Sequence, residues 1–588
     1  MSSNQEIIDQ LRIIGQLLEM DKANPFRIRA YERASQTLSG LTQKITDMTE
    51  DELKAIPGIG PGMIGHIKEM KATGTTKEFE TLKKRIPESL LKLLEIPGLG
   101  PKRAKLLHDE LNVKSLDDLK KAAEGGKLRA LPGFGEKLEE NILKGLSFAQ
   151  AAGKRMLLWD AKMLMETLLK EIKRCPAVIE TTPAGSLRRG KETVGDLDIL
   201  CTARDGAKVI EFFTKLPQVE KIMAAGETKA TVWLKSQIQC DLRVVPPESF
   251  GAALQYFTGS KEHNVVLREH ALKLGYTINE YGVFEVKGDR LLTIDDRVEK
   301  GKRIAGKTEE EIYKALGLAW IPPELRENRG EIEAAKANKL PKLVELKDVK
   351  GDFHNHTNLT DGVNTLEQMV EAAQAMGWEW VFIGDHSQSL KIAKGLSPQK
   401  LHETIAQVRE LNKKSKDFRV FRSMEVDILK DGKMDYEDQD LDAIDAVIAS
   451  VHGSMKQPEE EMTARVSRAI NNPHVDIVGH LSGRLLNRRE PYQINTEAIL
   501  ELCKKTNTAL ELNGQPERQD LFDIHAHRAK NLGVPLAVTT DAHSIHQLAY
   551  MEVAVTIARR AWLEKKDLIN TMNAEDLMDW LKNRKGSE

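Results

Sequence analysis

The C-terminal part of the chain repeats one pattern, in which a short apolar run ends in a potential metal ligand and a helical stretch follows. The seven runs are DFHNH (352–356), WVFIGDH (380–386), FRSMEVD (421–427), AVIASVH (446–452), VDIVGH (475–480), TALELNG (508–514) and PLAVTTDAH (535–543). Strands that alternate with helices favour a parallel sheet, and chemical groups at the carboxyl ends of all strands favour a closed barrel. The pattern predicts a seven-stranded (β/α) barrel.

Histidines and acids collect at the ends of these runs. Eleven of the fifteen histidines lie from His354 onward. The candidate ligands are His354, His356, Asp361, His386, Glu425, His452, His480, Asp541 and His543. Imidazole with carboxylate suits Zn²⁺, Mn²⁺ or Fe²⁺, and nine ligands suffice for two or three ions, with Glu425 as a bridge. Such a cluster would make a metal hydroxide that attacks phosphate esters.

The remaining histidines of this part are interpreted as structural. His525 and His527 lie in a helical pattern, where residues two apart do not face each other. His402, His474 and His546 are not expected to be ligands either.

A second acidic site is predicted near the middle of the chain, in the stretch AGSLRRGKETVGDLDILC (184–201). Asp196 and Asp198 are two apart in a strand-like run and therefore point the same way. Two aspartates with this spacing and no further acid nearby more often lie on a solvated strand edge. However, the run QIQCDLRVV (237–245) adds Asp241. Three converging carboxylates can hold two Mg²⁺ ions and clamp an in-line phosphoryl displacement.

The residues just before this strand are suited to phosphate. The Gly185-Ser186 turn offers backbone N–H groups and a hydroxyl, and Arg189 adds positive charge. Together with the three carboxylates, they predict a nucleotidyl-transfer site.

Three similar segments occupy the N-terminal part: AIPGIGPGMIGHI (55–67), EIPGLGPKRAKLL (95–107) and ALPGFGEKLEENI (130–142). One such segment would be an ordinary turn between helices. Three at similar spacing favour binding of the DNA backbone without sequence readout, because each glycine turn leads into a helix N-terminus. They are interpreted as helix-hairpin-helix motifs, with Gly58, Gly60, Gly98, Gly100, Gly133 and Gly135 as the DNA-binding glycines.

Length and composition limit the alternatives. A chain of 588 residues is too long for one core. It has no apolar segment near the ~20 residues of a membrane span and no signal-peptide core. The four cysteines, Cys175, Cys201, Cys240 and Cys503, are scattered, so neither a zinc ribbon nor a disulfide framework is expected. These features predict a cytoplasmic protein that does not bind membranes.

With these motifs in hand, residues 1–320 resemble family X DNA polymerases, the group that includes polymerase beta. Residues 350–575 resemble a polymerase-and-histidinol-phosphatase (PHP) domain. The resemblance is carried by GSLRRGKETVGDLD and by YFTGS with a following asparagine and arginine. The layout is similar to that of the two-part bacterial and archaeal polymerases called PolX.

The resemblance implies a multidomain fold that mixes α+β and α/β architecture. The expected domains are an N-terminal helical domain with the first hairpin (1–85), a fingers-like helical region with two further hairpins (86–150), a nucleotidyltransferase palm with a mixed sheet (151–247), a thumb (248–320), a linker (321–350) and a PHP barrel (351–575).

The resemblance also implies residue roles. Asp196, Asp198 and Asp241 would bind Mg²⁺, and Asp241 would activate the primer 3′ hydroxyl. The triphosphate would be held by Gly185, Ser186 and Arg189, the sugar would lie against Tyr256 and Phe257 with Gly259 beneath it, and Asn264 and Arg268 would face the minor-groove side of the nascent pair. Without the resemblance, YFTGS is interpreted only as an aromatic strand end and turn.

One departure from the family pattern concerns the first hairpin. Members with deoxyribose-phosphate lyase activity carry a Schiff-base lysine at the position of His66. The nearest lysine is Lys68, two positions further on. We therefore expect little or no such lyase activity.

The sequence thus predicts a monomeric DNA repair polymerase, acting in base excision repair, that fills short gaps in primer-template DNA with dNTPs. Its PHP domain, loaded with two or three Mn²⁺ or Zn²⁺ ions, would act as a 3′–5′ exonuclease. An alternative keeps a PHP 3′-end-processing nuclease or abasic-site endonuclease as the main activity, with the front half positioning DNA. A third interpretation is a DNA-junction binding protein, which the intact set of three aspartates disfavours.

Overall fold

A computed structural model describes the chain between residues 4 and 585. Residues 1–3, 22, 40–44, 57, 88–89, 92, 94–98, 136–138, 140–141, 143–154, 287–299, 415–417 and 586–588 lie outside the described part. The chain divides into two compact units, Met1–Lys154 and Arg155–Glu588. No helix among the described residues is both long and apolar enough to cross a bilayer.

The first unit is built from helices. Their bounds are α1 Asn4–Met20, α2 Pro25–Ser39, α3 Glu50–Ala55, α4 Pro61–Thr73, α5 Lys77–Arg85, α6 Pro101–Leu111 and α7 Leu116–Glu124. Apolar side chains at helical spacing, such as Leu11, Ile14 and Leu18 of α1, pack with Ile67 and Leu107 into one core.

Two of the predicted hairpins enter their second helix in the same way. Gly60 and Gly100 immediately precede α4 and α6, and a proline occupies the first helical position of both helices. Proline suits that position because its missing N–H would have no intrahelical partner there. Gly58 has a φ of +89°, and a Cβ on it would lie 2.9 Å from the Arg33 side chain. Glycine is therefore required at this turn.

The third predicted hairpin is described only in part. Gly133 has a φ of +78°, and the Gly135 carbonyl accepts a hydrogen bond from the Glu139 N–H at 3.0 Å. Gly98 of the second hairpin lies outside the described residues.

A mixed sheet opens the second unit. Its elements are β1 Met156–Leu157, α8 Leu158–Ile172, β2 Val178–Pro183, α9 Gly185–Arg188, β3 Thr193–Val194, β4 Asp196–Ala203, α10 Gly206–Thr214, β5 Val219–Ala225, β6 Lys229–Leu234 and β7 Gln239–Val244. Five strands pair in the order β2-β4-β7-β6-β5. Among the described pairings of this sheet, β4 and β7 run parallel and the other three are antiparallel. Leu197 and Ile199 alternate with the aspartates of β4, and both are buried.

Helices and a small antiparallel sheet follow. They are α11 Phe250–Thr258, α12 Lys261–Lys273, β8 Tyr276–Asn279, β9 Gly282–Val286, β10 Lys300–Ala305, α13 Glu309–Ala315 and α14 Glu331–Lys336. The segment 321–350, predicted as a linker, contains α14, and its Leu325 and Ile332 pack with Leu267 and Ile312 in one core.

The interpretation of YFTGS as a strand end was wrong, because its first three residues end helix α11. Phe250, Ala253, Leu254 and Phe257 recur at helical spacing and pack beside Leu200 of β4. Burial of this face against the sheet outweighs the strand propensity of the short aromatic run.

The C-terminal region forms the predicted barrel. Its elements are β11 Gly351–Asp352, α15 Leu366–Ala375, β12 Trp380–Ile383, α16 Pro398–Lys414, β13 Arg419–Asp427, α17 Asp438–Asp442, β14 Ala446–Ser450, α18 Glu459–Ile470, β15 Val475–Val478, α19 Thr496–Thr506, β16 Ala509–Asn513, α20 Asp523–Leu532, β17 Leu536–Thr539, α21 Met551–Arg560 and α22 Ala574–Lys585.

Among the described residues, seven strands pair in chain order from β11 to β17, all in parallel. The first and last strands also meet. The His356 N–H donates to the Ala542 carbonyl at 2.7 Å, and the Asp541 N–H donates to the His354 carbonyl at 2.8 Å. These bonds close the barrel and bring residues that are almost 190 positions apart to one rim.

Candidate metal centres

The three predicted carboxylates of the mixed sheet lie on its two parallel strands. Asp198 of β4 is directly opposite Asp241 of β7, and Asp196 is opposite Gln239. Residues two apart on a strand share a face, so all three carboxylates lie on one side of the sheet. The Lys229 ammonium lies 2.9 Å from Asp241 Oδ2. In this arrangement, lysine supplies positive charge beside the acids.

Burial and the mutual proximity of these acids raise the pKa of two of them. Burial, followed by the charges of Asp196 and Asp241, raises the pKa of Asp198 to about 7. Burial and the charge of Asp241 also raise the pKa of Asp196. Carboxylates in this state bind a hard divalent cation readily, because the cation removes their mutual repulsion. The donor set therefore fits Mg²⁺.

The predicted phosphate-binding turn begins beside Asp198. Gly185 starts the short helix α9 with a φ of +62°, and a Cβ at this position would lie 2.2 Å from Asp198 Oδ2. Ser186 is the next residue, and its carbonyl accepts the Lys191 N–H at 3.1 Å. Arg189 caps the helix, and its Nη1 donates to the Thr258 carbonyl at 2.5 Å. The helix start and the carboxylates thus share one site.

The residues predicted to contact sugar and base lie on α11 and α12. The Tyr256 and Phe257 rings meet edge to face, with 5.1 Å between their centroids. Gly259 has a φ of +71°, and a Cβ on it would lie 3.1 Å from Arg189 Nη1. Asn264 Nδ2 donates to the Tyr256 carbonyl at 2.8 Å, and Arg268 follows one turn later on α12. These residues surround the helix junction that faces Arg189.

Glu425 is the centre of the barrel cluster. Glu425 lies on β13 and is buried. Its carboxylate lies within 4 Å of the imidazoles of five histidines. The distances are 3.4 Å to His354 Nε2, 3.7 Å to His356 Nε2, 2.9 Å to His386 Nδ1, 3.2 Å to His452 Nε2 and 2.7 Å to His480 Nε2. A carboxylate in this position has the contacts expected of a bridging ligand.

The two aspartates complete the rim on the other side. Asp361 lies 3.3 Å from His386 Nε2 and 3.4 Å from His543 Nε2. Asp541 Oδ1 lies 3.2 Å from His356 Nε2. In the described part of the chain, ligand atoms within 4.8 Å of one another form the groups His356/Asp361/His386/His543, His354/His356/Asp541 and His386/Glu425/His452. The structure thus brings all nine predicted ligands together.

The imidazole nitrogens in this cluster fit a metal ion. Nε2 of His354, Nδ1 of His386 and Nε2 of His452 are buried and make no well-aligned hydrogen bond with any described residue. Burial opposes protonation of His386, but Glu425 and Asp361 outweigh it and raise its pKa to about 10. The positive charge that these acids stabilise can equally be a bound cation.

Several residues beyond the predicted set orient the ligands. Glu511 Oε1 lies 2.6 Å from His354 Nδ1, Asp427 Oδ1 lies 2.5 Å from His452 Nδ1, and Arg518 Nε donates to Asp541 Oδ2 at 2.9 Å. Carboxylates behind metal-binding histidines fix the ring orientation and increase ligand basicity. The signal for Glu511 was present in the run TALELNG, which supplied no ligand to the predicted set.

The histidines interpreted as structural have other partners. His402 Nε2 lies 2.9 Å from Asp440 Oδ1, and His527 Nδ1 lies 3.1 Å from the Ala561 carbonyl. Burial lowers the pKa of His525 to about 4. In the first unit, His66 Nε2 lies 2.8 Å from the Tyr31 hydroxyl, and Lys68 pairs with Glu50 on α3.

Sequence profiles of known domains match five parts of the chain. They are a helix-hairpin-helix domain (2–76), a SAM-like helix-hairpin-helix tandem (90–147), a DNA polymerase beta palm (159–238), a DNA polymerase beta thumb (253–327) and a PHP domain (352–515). Both candidate metal centres overlap a matched domain.

Known proteins are similar over the whole chain or over parts of it. A DNA polymerase/3′-5′ exonuclease PolX of Bacillus subtilis (strain 168) is 38% identical over 580 residues, which cover 98% of this chain and 99% of that protein. A probable phosphatase of Thermoanaerobacter sp. (strain X514) is 26% identical over 40% of this chain and 95% of its own length. DNA polymerase lambda of Rattus norvegicus is 25% identical over 55% of this chain and 56% of its own. The chain therefore belongs to the PolX family, in which polymerase beta-type palm and thumb domains are joined to a PHP domain.

Proposed function

We propose that this chain, a family X DNA polymerase with a PHP-domain 3′–5′ exonuclease, fills short gaps during DNA repair and trims the 3′ ends that it extends. The observation that carries this proposal is the presence of two separate acidic centres in one chain. One joins Asp198 to Asp241 across β4 and β7, and the other surrounds Glu425 at the barrel rim. We also propose a cytoplasmic monomer that acts on gapped DNA, with the domain boundaries given above.

In the palm, Asp196, Asp198 and Asp241 would hold Mg²⁺, which supplies charge neutralisation for an in-line phosphoryl transfer. Asp241 would accept the proton of the primer 3′ hydroxyl. The helix start at Gly185 and Ser186 would donate N–H groups to the triphosphate, and the Arg189 guanidinium would bind its oxygens. The aromatic pair on α11 would exclude water from the sugar, and Asn264 and Arg268 would contact the minor-groove side of the new pair.

In the PHP domain, the nine rim residues would hold two or three Mn²⁺ or Zn²⁺ ions, which supply a hydroxide nucleophile at neutral pH. Glu511 and Asp427 would keep the rings of His354 and His452 in their ligating orientation. Arg518 Nε donates to Asp541 Oδ2 and would hold that carboxylate in its ligating orientation. Phosphodiester cleavage at a DNA 3′ end is the reaction that this set serves best.

The test uses a 5′-labelled primer on a gapped duplex, with dNTPs present or absent and with Mg²⁺ or Mn²⁺. Asp241→Ala is expected to stop primer lengthening while shortening persists. His452→Ala is expected to stop shortening while lengthening persists. A wild-type chain that shortens the primer but never lengthens it would overturn the gap-filling proposal in favour of the 3′-processing nuclease.

A further inference from the structure

A loop of the palm is held by residues of the barrel region. This loop, 189–192, joins the predicted triphosphate-binding helix α9 to the strand that leads into Asp196. The Glu192 carbonyl accepts a hydrogen bond from Gln519 Nε2 at 2.9 Å, and its carboxylate accepts one from Arg484 Nη2 at 2.8 Å. Arg560 Nη1 donates to the Arg189 carbonyl at 2.7 Å. The loop is therefore fixed at both of its ends by the barrel region.

The middle of the loop leaves no space between the two regions. Gly190 has a φ of +64°, and a Cβ on it would lie 2.3 Å from Thr556 Cγ2 of α21. The palm backbone therefore packs directly on the helix that ends at Arg560.

Arg560 also contacts Glu327, the carboxylate partner of the Arg189 side chain. Glu327 Oε1 lies 3.1 Å from Arg189 Nε and 3.1 Å from Arg560 Nη1, so the two arginines share one oxygen. Arg560 Nη2 reaches Asp523 Oδ2 at 2.6 Å. The side chains of Arg560, Glu327 and Arg189 are 5%, 13% and 14% exposed, so solvent screens this network weakly.

The charges around the network favour an additional anion. The network holds four cationic side chains, those of Arg189, Lys191, Arg329 and Arg560, against the two negative charges of Glu327 and Asp523. Burial opposes ionisation of Glu327, but Arg560, Lys191 and Arg189 outweigh it and lower its pKa to about 2. Glu327 stays ionised. Because its carboxylate contacts two arginines, it neutralises only part of the positive charge of Arg189.

We propose that Arg560 of the barrel region is a positioning residue for nucleotidyl transfer, which holds Glu327 and the Arg189 backbone so that the Arg189 guanidinium remains available to the incoming triphosphate. This inference rests on the proposed role of Arg189. If Arg560 is removed, the Glu327 carboxylate no longer shares its charge between two arginines. It then pairs more strongly with the Arg189 guanidinium, which becomes less available to the nucleotide. The PHP domain thereby contributes to polymerisation through a residue remote from its own rim.

The experiment measures steady-state single-nucleotide insertion by full-length variants on a one-nucleotide gap. Arg560→Met is expected to raise the KM for dNTP about tenfold with kcat changed less than threefold, because nucleotide binding loses one charge-assisted contact. Exonuclease activity on a 3′ end is expected to stay within twofold. Adding Glu327→Gln to Arg560→Met is expected to bring the KM back to within threefold of the wild type, because the competing carboxylate is gone.

The matched control is Arg559→Met. Arg559 is the adjacent residue and makes an ion pair at 2.7 Å with Glu324 of the segment 321–350, but among the described residues its side chain makes no hydrogen bond or ion pair with Arg189. The KM of Arg559→Met for dNTP is expected to stay within twofold of the wild-type value. The conservative variant Arg560→Lys, which keeps the charge, is expected to raise the KM about threefold, and it replaces Arg560→Met if that variant fails to fold.

Each outcome separates the inference from the proposed function. If Arg189→Ala leaves the KM for dNTP unchanged, the role of Arg189 fails and the inference fails with it. If Arg189→Ala raises the KM but Arg560→Met acts like Arg559→Met, only the inference fails. A proportional loss of kcat and exonuclease activity in Arg560→Met, made worse by Glu327→Gln, would also overturn it, because that pattern is a loss of structure.

Discussion

Replacement of Gly185 by alanine tests whether the helix start and the palm carboxylates act as one site. Gly185 has a φ of +62°, and the added Cβ would lie 2.2 Å from Asp198 Oδ2. The left-handed backbone alone costs about 1–2 kcal/mol for a residue with a Cβ. The contact is roughly 1 Å too short for carbon and oxygen at van der Waals separation, so the Asp198 carboxylate must move from its observed position opposite Asp241.

A displacement of this size at a reacting centre costs on the order of 100-fold in rate, or about 2.7 kcal/mol of barrier. Gly317→Ala is the matched control. Gly317 has a φ of +69°, and its Cβ would meet nothing within 4 Å in the described part of the chain. It therefore carries the backbone cost without the contact with Asp198.

The assay combines thermal unfolding with single-nucleotide extension at saturating dNTP and with exonuclease rates. Both variants are expected to lose about 1–2 kcal/mol of stability and to keep exonuclease activity within twofold. Only Gly185→Ala is expected to lose extension, by about 100-fold. If Gly185→Ala extends primers within a few-fold of Gly317→Ala, the turn does not control the position of Asp198 and the reasoning is wrong.

Three further predictions follow from other contacts. Burial opposes ionisation of Glu309, but its arginine partners, Arg326 first, lower its pKa to about 2. Its contribution to stability is present above pH ~4.5 and is lost below it. Urea unfolding between pH 6 and 3 should show a steeper stability loss, by up to about 1.4 kcal/mol per pH unit, in wild type than in Glu309→Gln. Glu511→Gln removes the carboxylate behind His354 and should lower exonuclease activity about 10- to 100-fold without slowing extension, and Mn²⁺ titration checks whether added metal restores it. His66 replaces the Schiff-base lysine, so borohydride should trap no adduct with a 5′-deoxyribose phosphate end. A trapped adduct would contradict that expectation.

The sequence was sufficient to predict the fold and the site wherever a local pattern determines which way a side chain points. Alternation of Leu197 and Ile199 with the aspartates placed Asp196 and Asp198 on one face of a strand, and the structure pairs Asp198 with Asp241. The barrel was predictable for the same reason, because each buried run ends at the rim where its ligand is needed.

The sequence was insufficient where tertiary packing determines the outcome. YFTGS is too short for its period to be measured, and its helix forms because Phe257 packs beside the sheet. Glu511 was missed because its role depends on the His354 ring, which is 157 positions away. Arg560 has no motif, and its contact with Arg189 exists only because two regions pack together.

The closure of the barrel also sets an order of events during synthesis on the ribosome. The palm carboxylates are complete once Asp241 has emerged, whereas the rim requires the bonds between the first strand and Asp541 and Ala542. A nascent chain becomes available from its N-terminal end. Almost 190 further residues must therefore be synthesised after His354 before Asp541 can pair with its strand. Newly made molecules therefore acquire the capacity to degrade DNA only after the palm and its three carboxylates have been made.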